Sequence, residues 1–142
     1  MPAKRAVLDT SVLYSGLRSR QGASYELSRA VARGRVQPVL SVPLVLEYEQ
    51  TVSRLVADGI LTARDVESAI DFLCAAGHLQ EIYYGWRPSL PDPDDDFLLE
   101  LAVAAGCRHI VTFNLRDFRG VEPFGVEAVT PAAFLALLGG SR

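Results

Sequence analysis

RAVLD, residues 5–9, is a short apolar run that ends in an acid. Such a run bounded by helix signals is a buried strand, and an aspartate at its C-terminal end lies where parallel α/β sheets place their ligand sites. The segments downstream carry the pattern on. Helical spacing over residues 24–34 puts Leu27, Ala30 and Val31 on one face, with Gly34 as the stop. VQPVLS, residues 36–41, is a second strand that Pro38 places near an edge. Pro43 suits the first turn of a helix running to Asp58, with Gly59 behind it, and Thr62 with Asp65 opens another helix over 62–76 as a variant capping box. A short strand at 78–84 and the loop RPSLPDP precede a helix over 93–105 that stops at Gly106. Strands at 108–112 and 126–129 and a helix from Pro131 through Leu138 complete the order. Strands separated by helices, with no hairpin signal, imply a mostly parallel sheet covered on both faces. The expectation is one α/β domain over residues 1–142, a three-layer α/β/α sandwich.

With 142 residues, 49% of them hydrophobic, the chain is large enough to build a core without a disulfide or structural metal. Cys74 and Cys107 sit in apolar stretches without ligand or redox spacing and read as two buried thiols in a reducing compartment. No secretory signal and no apolar stretch of about 20 residues is present, so a cytoplasmic location off the membrane is expected. The net charge is −3, but its distribution is uneven. Residues 1–35 hold seven basic and two acidic side chains, a net of +5, which leaves −8 for the rest. A basic first quarter can track phosphates while an acidic remainder holds cations; solvated helix faces would give the same counts.

Carboxylates and hydroxyls gather at the expected strand ends. Asp9 is followed by Thr10 and Ser11; Glu47 lies in the first turns of the helix after the second strand; Thr112, Asn114 and Asp117 follow the strand at 108–112. Asp92, Asp94, Asp95 and Asp96 crowd the start of the helix at 93–105. Each has a plainer role. Asp9 can cap a following short helix, Glu47 can be a solvated helix residue, Asp92 before Pro93 is a good N-cap, and Asn114 with Asp117 can make a simple turn. Glu47, however, falls beside Leu44 and Tyr48, a place for a partly buried carboxylate that needs a partner. Capping does not account for four acids in five positions, and Asp95 shares a helical face with the apolar Leu98, Leu99 and Ala102. The set offers only oxygen donors, which select magnesium or manganese over zinc.

Four stretches in order, VLDTSVLYSGL, LSVPLVLEYEQTVSR, PDPDDDFLLELAVAAG and HIVTFNLRDF, make the chain resemble the PIN-domain family, in particular the VapC-type toxins of bacterial toxin–antitoxin pairs. The resemblance implies metal-dependent cleavage of single-stranded RNA by a carboxylate cluster. It places the acids on Asp9, Glu47, Asp95 and Asp117, both as catalytic groups and as ligands of Mg2+, with Mn2+ as the other hard ion. Thr10, Ser11, Thr112 and Asn114 support them. Ser11 stands where many members carry asparagine, and Asn114 where some carry aspartate, so one firmly bound ion is expected and a second is left open. The resemblance also implies a homodimer and a small cognate antitoxin as partner. The helix around Val66, Ile70, Phe72 and Leu73 and the aromatics Tyr83, Tyr84 and Trp86 are candidates for such contacts, or for core.

From charge alone, Arg18, Arg20, Arg33 and Arg35 are candidates for the RNA backbone track. Two other readings of the same residues stand beside this one. A phosphatase of the haloacid-dehalogenase type needs a second acid two residues after its aspartate, where this chain has Ser11, and a downstream lysine, whereas Lys4 is the only lysine here. A PIN-like module that binds RNA or protein with weak or no catalysis is the alternative of a different class.

Overall fold

Why the first strand forms is visible in its alternation. In β1 (Lys4–Leu8), Ala6 and Leu8 enter one hydrophobic cluster and Val7 enters the other, so the strand is buried on both faces. The computed structural model describes residues 3–82 and 93–139, with side chains of the second stretch from Phe97 onward. The elements are β1, α1 (Thr10–Arg18), α2 (Ala23–Ala32), β2 (Val36–Leu40), α3 (Val42–Ala57), α4 (Ala63–Ala76), β3 (His78–Leu79), α5 (Pro93–Ala104), β4 (His109–Val111), β5 (Glu127–Val129) and α6 (Pro131–Gly139). Two short 3-10 turns, Leu115–Phe118 and Glu122–Phe124, lie between β4 and β5.

All four strand pairings are parallel, and the sheet order is β3-β2-β1-β4-β5. On one face, Leu44, Tyr48 and Val52 of α3, Val66, Ile70 and Leu73 of α4, and Leu98, Leu99, Leu101 and Ala102 of α5 pack with Val7 and Ile110. On the other, Val12 of α1, Leu27, Ala30 and Val31 of α2, and Phe134 and Leu138 of α6 pack with Ala6, Leu8, Val36, Val111 and Val129. This is the expected α/β/α sandwich. Among the described residues no helix is long and apolar enough to cross a membrane.

Local chemistry sets the boundaries that matter for the site. The Ser41 hydroxyl accepts from the Leu44 N–H and Pro43 occupies the first turn, which fixes the start of α3 and so the position of Glu47. The capping box at Thr62 and Asp65 is present in both directions, 2.9 and 3.1 Å. Gly59 takes φ +74° just past α3, a left-handed stop.

Four local expectations need correction. A helix, α1, fills the segment after Asp9 that the apolar spacing had left unassigned. Pro38 is not at an edge: β2 lies between β3 and β1, and Pro38 pairs in register with Ala6. Its carbonyl, and therefore its missing N–H, faces the β3 side, where pairing begins only at Val39, so no ladder bond is lost. The strand expected at 78–84 is paired only over His78–Leu79, and its end beyond residue 82 lies outside the described residues, as do Tyr83, Tyr84, Trp86 and Asp92. Cys107 is buried but Cys74 is exposed, because it lies off the face of α4 that carries Val66, Ile70 and Leu73.

Candidate active site

β1 sits at the centre of the sheet, with β2 to one side and β4 to the other, so the chain leaves it in one direction and returns in the opposite one. The crevice at the C-terminal ends of β1 and β4 is therefore a topological switch point, the usual ligand site of such sheets. Asp9 follows β1 directly and Thr112 follows β4 directly. The backbone joins them, since the Asp9 N–H donates to the Val111 carbonyl at 2.9 Å.

Asp9 occupies the N-cap position of α1, yet its carboxylate makes no capping hydrogen bond. It faces the crevice instead. Its Oδ2 accepts from the Thr112 hydroxyl at 2.7 Å and from the Ser11 hydroxyl at 3.2 Å. Thr112 is fully buried, and its Oγ1 in turn accepts the Asn114 N–H at 3.0 Å. That hydroxyl is thus committed at both ends, which fixes the Asp9 side chain as well. Ser11, where an asparagine is common in the family it resembles, still supplies its hydrogen bond, at the longer distance.

The second acid comes from α3. Glu47 is half-buried, and its Oε1 accepts from the Thr10 hydroxyl at 2.8 Å, which ties α3 to the start of α1. Tyr48, the next residue, is buried and donates its hydroxyl to the carbonyl of Leu8, the last residue of β1. Burial pushes the Tyr48 phenol far above its usual range, and the charges of Asp9 and Glu47 add to the shift, so it remains a donor at all ordinary pH. Both carboxylates therefore act on the same buried ring. Sequence reading had not assigned Tyr48 a role; its one signal was a polar tip in an otherwise apolar stripe.

The remaining expected residues fall at graded distances from this centre. Asn114 is exposed and reaches it through its backbone N–H. Asp117, half-buried, stands in the turn Leu115–Phe118, with its N–H on the Asn114 carbonyl at 3.0 Å. Asp95 is in the first turn of α5, and its side chain lies outside the described residues. Arg18 and Arg20 are exposed at the junction of α1 and α2, about 13 Å of helix away from Asp9. Arg33 and Arg35 sit just before β2, at the N-terminal ends of the strands and so opposite the end that carries Asp9, with the Arg35 guanidinium on the Leu138 carbonyl at 3.1 Å. The structure does not gather these four arginines around the carboxylates. Phe113, Arg116 and Arg119 line a hollow with Asn114 and Asp117 in the loop that follows Thr112, and sequence reading passed over them because nothing in their spacing marks them.

Whether the donors fit a divalent cation is a matter of their chemistry. Asp9 Oδ1 and Glu47 Oε2 are acceptor-only atoms left without a hydrogen bond among the described residues, while the hydroxyls hold the other oxygen of each. Hard oxygen donors of this kind suit magnesium-like ions. Among the described residues no three His, Cys, Asp or Glu side chains come together as a complete set of ligands. Asp9 and Glu47 are hence the part of a cation site that the described side chains contain.

A family model described as PIN domain matches residues 5–116, from β1 to the turn that carries Asp117. PIN domains are in general nucleases and typically use divalent metal ions. No curated protein matches the chain.

Proposed function

Because the chain belongs to the PIN-domain family, we propose that it is a magnesium-dependent endoribonuclease that cleaves single-stranded RNA, acting as the toxin of a toxin–antitoxin pair. The observation that carries this reading is the Asp9 carboxylate. It sits at a helix N-cap without capping it, held through one oxygen by two hydroxyls, with the other oxygen unengaged among the described residues. A merely structural aspartate at that position would bond the helix N–H groups.

Asp9 and Glu47 would hold the ion, with Asp95 and Asp117 completing the set; manganese suits the same donors. A divalent cation there supplies charge to the scissile phosphate and makes water acidic enough to attack near neutral pH. Thr112 and Ser11 keep Asp9 in one orientation, so its free oxygen needs no reorganisation on binding. Thr10 does the same for Glu47. Tyr48 anchors α3 to the end of β1 and so fixes the spacing of the two acids. Asn114 and Asp117 border the crevice where substrate and attacking water meet.

The test is cleavage of a mixed single-stranded RNA pool with magnesium, with EDTA, and with the Asp9→Asn variant. Cleavage that needs magnesium and falls by roughly a hundredfold or more in the variant is expected. A folded wild type that cleaves equally well in EDTA would remove the metal-dependent reading.

A second reading is a catalytically weak PIN-like module binding RNA or protein; in its favour, Ser11 reaches Asp9 only at 3.2 Å and Asn114 brings no charge to the site. Melting with and without magnesium separates the two, since a functional site gains stability in proportion to its occupancy. The cytoplasm as the place of action, a homodimer and a small antitoxin belong to the toxin reading. A monomeric mass by light scattering at micromolar concentration would count against the dimer.

A further inference from the structure

We propose that the hollow beside the carboxylates is a nucleotide subsite, in which Phe113 stacks against an unpaired base while Arg116 and Arg119 hold the adjoining phosphate. The inference rests on the nuclease reading above and goes past it to the residues that select the substrate. The hollow is lined by Phe113, Asn114, Leu115, Arg116, Asp117 and Arg119. It is tied to the carboxylates through Thr112, whose hydroxyl donates to Asp9 and accepts the N–H of Asn114 in the hollow's wall.

Three properties of this loop point the same way. Phe113 is 48% exposed and Leu115 43%, although the chain here has just left a fully buried strand. A single exposed apolar side chain needs no explanation, but two flanking one polar concavity present a flat apolar wall next to hydrogen-bonding groups. Second, Arg116 and Arg119 are exposed and neither makes an ion pair among the described residues, although Asp117 stands between them in sequence. Their charge is available to a phosphate. Third, the loop is not slack. Phe118 is 1% exposed in the core, the turn Leu115–Phe118 is closed by the Asp117 N–H, and the Asn114 N–H is fastened to Thr112. An aromatic face and paired cations on a fixed loop are what a single strand needs, because stacking tolerates any base that is not already paired. A duplex keeps its bases inside the stack and gains nothing from Phe113.

The measurement is binding of a short fluorescent single-stranded RNA of mixed sequence to the full chain in EDTA, where cleavage does not intervene, across a salt series. A duplex of equal length is the comparison. Phe113→Leu should weaken single-strand binding on the order of tenfold with the salt slope unchanged, and Phe113→Trp should restore it. Arg116→Gln and Arg119→Gln should each lower the slope of log K against log salt by about 0.7. Duplex binding should be weaker and indifferent to Phe113→Leu. Circular-dichroism melting of each variant checks that the fold is kept. If Phe113→Leu binds as wild type does while the protein still cleaves RNA, the subsite is overturned and the nuclease stands. A wild type that neither binds nor cleaves any RNA removes both.

Discussion

Thr112 is both acceptor and donor, and that double commitment controls what Asp9 can do. Thr112→Val would leave the Asn114 N–H without its acceptor and Asp9 Oδ2 with only the longer bond from Ser11. It should cost about 1–3 kcal/mol of stability and lower cleavage at least about tenfold, whereas Thr112→Ser should recover most of both. Urea midpoints and initial rates for the pair of variants decide this, and a loss in Ser with none in Val would show that the methyl group, not the hydroxyl, matters. Tyr48→Phe removes the donor from the buried Leu8 carbonyl and should cost about 1–2 kcal/mol in urea melts, with a loss of activity through the displaced Glu47. At this scale the acids Asp9 and Glu47 were legible because each stands at a place that strand and helix patterns define locally. Their partners were not. Thr10 and Glu47 are 37 positions apart, and Asp9 and Thr112 are 103 apart, so only the folded sheet brings the hydroxyls to the carboxylates.

Helices and strands obey the local signals where capping chemistry is strong. Thr62→Ala should lower the urea midpoint by an amount worth about 1 kcal/mol, because the Asp65 N–H at the start of α4 loses its acceptor while the backbone N–H of residue 62 keeps the Asp65 carboxylate. Gly77 is constrained by space rather than by its backbone angle. A methyl group there would meet Leu40 Cδ1 at 2.7 Å, the Leu73 carbonyl at 2.8 Å and the Pro38 carbonyl at 2.9 Å. Gly77→Ala should therefore destabilise by about 1–3 kcal/mol, and melting as wild type would show that α4 and β3 can part at no cost. Both ends of α3 were readable from Pro43 and Gly59, and with them the placement of Glu47. α1 was not, since Asp9 and Thr10 are as much site residues as helix starters, and β3 was read too long because β-branched and aromatic composition says nothing about whether a partner strand continues.

At the scale of the whole molecule, His109 makes stability depend on pH at a point away from the site. His109 of β4 is buried against the Phe134 ring, 3.8 Å from Glu127. Burial lowers its pKa below the ordinary histidine value; Lys4 and Arg108 lower it further, and Glu127 opposes them. In the interval below about pH 6.5 the unfolded chain thus binds a proton that the folded protein does not, so stability falls as the pH drops into that interval. Urea midpoints at about pH 7.5 and about pH 5.5 should show a fall in wild type that is smaller in His109→Phe. Parallel slopes would place the acid sensitivity elsewhere.

The parallel order β3-β2-β1-β4-β5 was readable as a class from alternating strands and helices, but not the central place of β1, because nothing in a strand's own sequence names its neighbours. That central place has a consequence for the moment of synthesis. Asp9 is translated 103 positions ahead of Thr112, the hydroxyl that holds it at 2.7 Å, and β1 well ahead of β4, the strand on that side of it. An unfinished or prematurely stopped chain holds one half of a crevice and cannot close it.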